Sequence, residues 1–69
     1  MKLSARNVLP GKIVDVKRGT TTAHVKVQLA GGAIVTASIT NEAVDELALT
    51  NGDAVSAIIK ASDVLIGKG

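Results

Sequence analysis

The sequence contains no cysteine, no Phe, Trp or Tyr, one proline and one histidine. Without cysteine there can be neither disulfides nor thiolate metal sites, two of the usual reinforcements of a very small domain. A chain of 69 residues forms a single domain, 1–69, that buries only about 60% of its unfolded surface. Its own core therefore leaves a narrow margin of stability, and association with further copies is the reinforcement that remains. One histidine and no pair of acids in an apolar setting leave nucleophilic and acid–base catalysis without their usual groups. The composition is that of a binding protein rather than an enzyme, with no catalytic cofactor.

Charge of either sign is also sparse. The net charge is +2, and Lys2, Arg6, Lys12, Lys17, Arg18, Lys26, Lys60 and Lys68 are scattered rather than clustered. No apolar run approaches the roughly 20 residues that span a bilayer. The opening Met-Lys-Leu-Ser-Ala-Arg-Asn lacks the apolar core of a signal peptide. The expectation is a cytoplasmic protein with no membrane partner.

What is present is β-branched: nine Val, six Ile and six Thr, residues that favour a pleated, half-buried surface. Pro10-Gly11 interrupts the pattern before Lys12–Lys17, where Val14 and Val16 are expected to face inward together. After a turn at Lys17–Thr20, Thr22–Leu29 alternates cleanly, with Ala23, Val25, Val27 and Leu29 on one face. Gly31-Gly32 marks a hairpin, because positive φ at both central residues carries no steric penalty for glycine. The return strand is expected over Ala33–Ile39, with one face on the core and the other on a second subunit. From Thr40 the period becomes helical: a hydroxyl N-cap, acids in the first turn, then Val44, Leu47 and Ala48. A turn at Thr50–Asp53 precedes an alternating strand over Ala54–Ala61, and Val64–Ile66 reads as a fifth, short strand. Three strands, a short helix and two strands give a mostly all-β fold, the element order of a five-stranded OB-like barrel with its helix between strands 3 and 4.

OB barrels often bind single-stranded nucleic acid, and a sequence pI of about 9.3 favours that alternative. The missing aromatics weigh against it, because base stacking on them supplies about 1–3 kcal/mol per base. Three short segments are rich in donors for an anion instead: Ser4-Ala5-Arg6-Asn7, Thr40-Asn41-Glu42-Ala43 and Lys60-Ala61-Ser62. Arg6 offers a planar charged fork, Lys60 a compact charge, Ser4, Thr40 and Ser62 hydroxyls, and the helix start unpaired N–H groups. Each segment alone has a plainer role, as a chain terminus, an N-cap or a strand end. Glu42, Asp45 and Glu46 complement the helix dipole, His24 reads as a surface or interface side chain, and nothing resembles a metal-ligand set.

These segments, with Gly11-Lys12, Ala30-Gly31-Gly32, Ile39–Val44, Leu47-Ala48-Leu49, Gly52 and Ile59–Val64, resemble the molbindins over nearly the whole chain. These are the stand-alone Mop modules, also found fused to molybdate-responsive regulators and to transporter ATPases. The resemblance implies an OB-like barrel that assembles as a hexamer, a trimer of dimers, holding molybdate or tungstate between subunits. By carry-over, Ser4, Ala5 and Arg6 of one chain would face Thr40, Ala43, Lys60, Ala61 and Ser62 of a neighbour around one oxyanion. Family members often have serine where this chain has Ala43, so only a backbone N–H could serve there. A second class of site near the symmetry axes is matched to Gly19, Thr20, Thr21 and Thr22, with Lys26 or His24 as further candidates. The implied activity is intracellular storage and buffering of the oxyanion.

Overall fold

The computed structural model describes all residues from Met1 to Gly69. Strand β1 (Asn7–Arg18) is followed by β2 (Thr22–Leu29), β3 (Ile34–Thr40), helix α1 (Asn41–Glu46), β4 (Ala54–Ile59) and a 3-10 turn at Ala61–Asp63. The four strands make one antiparallel sheet in the order β3-β2-β1-β4. It is a curled, OB-like sheet whose concave side holds the core.

That core is small. Ile13, Ala23, Val25, Val27 and Val44 are the fully buried residues, with Val16, Leu29, Ile39, Leu49 and Val55 packed around them. The clean alternation of β2 puts three of the five on one face, as the period-2 rule requires. Val44 comes from the helix, which packs against β2 and β3.

β1 departs from the expected pattern in two ways. Val14 does not face inward with Val16; it is exposed, and Ile13 is the buried residue. A β-bulge causes this, since Ile13 pairs with Val27 but Asp15 with Lys26, leaving Val14 as an extra residue that reverses the alternation. Nor do Pro10 and Gly11 break the strand. Pro10 pairs only with Ser56 of β4, at a level beyond the end of β2, so on that open side there is no ladder for a missing N–H to interrupt. Gly11 is needed for close approach: a Cβ there would lie 2.6 Å from the Gln28 carbonyl oxygen and 2.7 Å from a Val27 methyl.

The β2–β3 hairpin turns at Gly31 and Gly32, both at positive φ (91° and 97°). Helix α1 begins where Thr40 Oγ1 accepts a hydrogen bond from the Ala43 N–H at 3.0 Å. It ends in a Schellman arrangement: Leu49 N–H donates to the Val44 carbonyl, Ala48 N–H donates to Asp45, and Ala48 takes the left-handed conformation (φ 51°) usually left to glycine.

The expected fifth strand is absent. After the 3-10 turn Val64 is extended, but the segment Val64–Ile66 pairs with nothing, and Leu65 and Ile66 are 91% exposed. Strand propensity describes a fit to neighbours, and a three-residue apolar run without a ladder to join stays irregular. β3 and β4 are consequently both edges. Between them lies an apolar cavity of about 500 Å³, lined by residues such as Val35, Ile39, Val55 and Ile59.

Candidate functional site

β1 has two ends, and both carry cations. At its start Asn7 pairs with Ile59, the last residue of β4. The residues just before β1 and just after β4 are thereby set side by side. Ser4, Ala5, Arg6, Lys60, Ala61 and Ser62 line one cavity of about 490 Å³. Antiparallel pairing of β1 with β4 is what unites two segments more than fifty residues apart in the chain. Asn7 Nδ2 donates to the Ile59 carbonyl oxygen at 3.1 Å, tying together the two strand ends that lead into the cavity.

No acid lines this cavity, although Asp63 follows directly in sequence. The ion pair in the molecule is Arg18–Asp45, so Arg6 and Lys60 keep their charges unneutralised by protein. The guanidinium fork, the ammonium and two hydroxyls all donate, and the first amides of the 3-10 turn have no partner within it. The chemistry such a group offers is binding of a small anion with no proton of its own.

At the far end of β1 the helix start presents Thr40 and Ala43. Thr40 pairs with Thr22, and Asn41 donates from Nδ2 to the Gly19 carbonyl oxygen at 3.0 Å. Thr40, opposite Thr22, and Ala43 lie toward the Arg18 end of β1 and do not line the cavity of Arg6 and Lys60. One chain thus brings together six of the eight residues assigned to the oxyanion and holds the other two at the opposite end. The resemblance puts Ser4–Arg6 and Lys60–Ser62 on different chains; here one chain carries both arms of the same cavity. The Ala43 N–H is engaged by Thr40 Oγ1, while the Thr40 hydroxyl keeps its own proton to donate.

A second polar cavity, of about 320 Å³, is lined by Lys17, Arg18, Gly19, Thr22 and His24. Gly19, Thr22 and His24 were candidates on sequence grounds; Thr20, Thr21 and Lys26 do not line it. Lys17 and Arg18 were missed there. Pairing of Lys17 with His24 across β1 and β2 would have exposed the first of them, had the strands been put in register. No group of three or more His, Asp or Glu side chains is placed to hold a metal ion, and no helix is long and apolar enough to cross a membrane.

A curled four-stranded sheet, packed against one short helix and carrying an acid-free cationic cavity at one end, defines a small OB-like binding module. The model of the TOBE domain matches residues 3–66, and the chain belongs to that family. It is 44% identical over 66 residues to molybdenum-pterin-binding protein 1 of Clostridium pasteurianum, covering 96% of this chain and 97% of that protein. Among solved structures, a molybdate-binding protein from Sporomusa ovata superposes with a TM-score of 0.92 at 34% identity, covering 99% of this chain and all of that one. The cytoplasmic molybdate-binding protein ModG, with molybdate bound, gives a TM-score of 0.91 at 45% identity. The match covers 94% of this chain and 46% of ModG.

Proposed function

We propose that this chain binds molybdate, and tungstate with it, reversibly and without covalent chemistry, as a cytoplasmic store and buffer of the oxyanion. The observation that carries the reading is the cavity of Ser4–Arg6 and Lys60–Ser62, rich in donors and free of acids, in a chain whose full-length relatives are named for molybdenum or molybdate. Molybdate is a tetrahedral dianion. One Arg and one Lys balance its charge, and hydroxyls and amides satisfy its oxygens. Hydrogenphosphate is disfavoured because its proton finds no acceptor in the cavity. A flat pterin ring would lack a stacking partner in a chain without aromatics.

The assembly in this reading is a hexamer built as a trimer of dimers. Two features support association: a core of only five buried residues, and the distance between Thr40 with Ala43 and the Arg6 cavity, which only a second copy could close around one anion. In this reading the cavity lined by Gly19 and Thr22, with Lys17, Arg18 and His24, is the second oxyanion site. Nucleic-acid binding is the weaker reading, since no aromatic is available for base stacking and none of the relatives described above is named for it.

The test is isothermal calorimetry with sodium molybdate, paired with native mass spectrometry. Several molybdates per oligomer at micromolar concentration, with sulfate in excess competing weakly, are expected, and single-stranded DNA should not be retained in a gel shift at moderate salt. Absence of heat with molybdate would sink the proposal.

A further inference from the structure

Molybdate and sulfate carry the same charge in the same tetrahedral shape, so a site distinguishes them chiefly by size. Cavity width is then the property to explain. The two arms of the cavity have little to hold them. Ser4–Arg6 precede β1 and Lys60–Ser62 follow β4, so neither arm belongs to a ladder. The backbone hydrogen bonds outside the regular elements include none between the arms; those of the second arm, Asp63 N–H to Lys60 and Val64 N–H to Ala61, stay within it.

The last fixed points before the arms diverge are Asn7 and Ile59. Their backbones are register partners, and one side-chain hydrogen bond joins them, Asn7 Nδ2 to the Ile59 carbonyl oxygen at 3.1 Å in a partly buried setting. No other side-chain hydrogen bond links β1 with β4. That carbonyl belongs to the peptide unit leading into Lys60, and the donor is the side-chain amide of the residue that follows Arg6. A planar peptide transmits the orientation fixed at one end to the other. The bond thus fixes the peptide that leads into Lys60 and ties it to the residue next to Arg6.

We propose that Asn7 is a positioning residue for the anion cavity: its clamp on the Ile59 carbonyl sets the separation of the Arg6 and Lys60 arms, and with it the preference for a larger over a smaller tetrahedral dianion. The inference rests on the oxyanion reading above. Asn7 does not line the cavity, so its effect is on spacing and not on charge or donor count.

The test compares the parent with Asn7→Ala and Asn7→Asp. The aspartate is nearly isosteric, but when ionised it has only acceptors to offer a carbonyl, so it should open the arms further. Calorimetry with molybdate and with sulfate is the first readout. Molybdate affinity should fall about tenfold in Asn7→Ala, in keeping with one lost hydrogen bond, while sulfate falls by less than about threefold, narrowing the selectivity. Equal loss for both anions, or none, overturns the proposal. The second readout is amide exchange in the anion-free protein. Asp63 and Val64, whose N–H groups close the 3-10 turn, should exchange faster in both variants than in the parent, with β1–β2 amides unchanged. Faster exchange with unaltered selectivity makes Asn7 a merely structural clamp and also overturns the proposal. If the parent binds neither anion the oxyanion reading itself fails, a result separable from the first because the exchange measurement still reports whether the clamp exists.

Discussion

The two ends of β1 carry the same chemistry in opposite states. At the Arg18 end the guanidinium meets Asp45 at 2.6 Å, Asn41 holds the Gly19 carbonyl, and Thr40 caps the helix on Ala43. Donors there are used to fasten α1 to the β1–β2 turn. At the Arg6 end the guanidinium and the Lys60 ammonium face a cavity with no acid in it. A cation that the fold neutralises serves the fold; one that it leaves unpaired, beside hydroxyls and a second cation, is available to a ligand. Being basic does not by itself separate the two arginines. The acid that one of them meets does.

Substituting the unpaired cations is the strongest way to break this comparison. Arg6→Ala removes a charge-assisted donor set whose hydrogen bonds are worth about 1.5–3 kcal/mol, so molybdate affinity should fall on the order of 10- to 100-fold. Lys60→Ala should cost about tenfold, and the pair together should leave no measurable heat. Arg6→Lys restores the charge without the fork and should recover only part of the loss. Because both side chains are exposed, thermal stability should move by less than about 0.5 kcal/mol. Unchanged affinity in both single variants would show that the cavity at the start of β1 is not the site.

Thr40 tests whether the two ends cooperate across copies. Its hydroxyl accepts the Ala43 N–H, and loss of an N-cap costs about 1 kcal/mol, so Thr40→Ala should lower Tm by roughly 4–8 °C in a domain this size. If a neighbour's Thr40 donates to the anion held by Arg6, molybdate affinity falls severalfold as well, and Thr40→Ser restores both quantities. A drop in Tm with affinity intact would confine the site to one end of one chain.

Much of this architecture could be read from the residues because its signals are local. The alternation over Thr22–Leu29, the Gly31-Gly32 turn and the Thr40 cap each need only a few neighbouring residues, and all three stand as expected. Val14 and Val64–Ile66 failed for the complementary reason. A bulge depends on how many residues the partner strand supplies opposite Ile13 and Asp15, and a terminal strand depends on an edge being within reach; neither is written in the segment itself. The site divides in the same way. Donor types at Ser4–Arg6 and Lys60–Ser62 were visible one segment at a time, but their convergence in one chain follows from the pairing of Asn7 with Ile59. Lys17 went unnoticed because only register sets it opposite His24.

The smallest effect is expected where the ion pair is removed. Arg18 and Asp45 are 46% and 68% exposed in their side chains, and such surface pairs contribute about 0.2–1 kcal/mol, less at high salt. Asp45→Asn should therefore shift Tm only slightly, and a double-mutant cycle with Arg18→Ala should return a coupling that shrinks as salt is added. The same variant makes the Arg18 end resemble the Arg6 end, since it frees a guanidinium beside Lys17 and His24 in the second polar cavity. In an Arg6→Ala background, where the first cavity is silenced, Asp45→Asn should raise residual molybdate binding about threefold over Arg6→Ala alone. If residual binding stays as weak with the acid removed, neutralisation by Asp45 is not what distinguishes the two ends. The difference would then have to lie in the 3-10 turn amides and hydroxyls that only the Arg6 end provides.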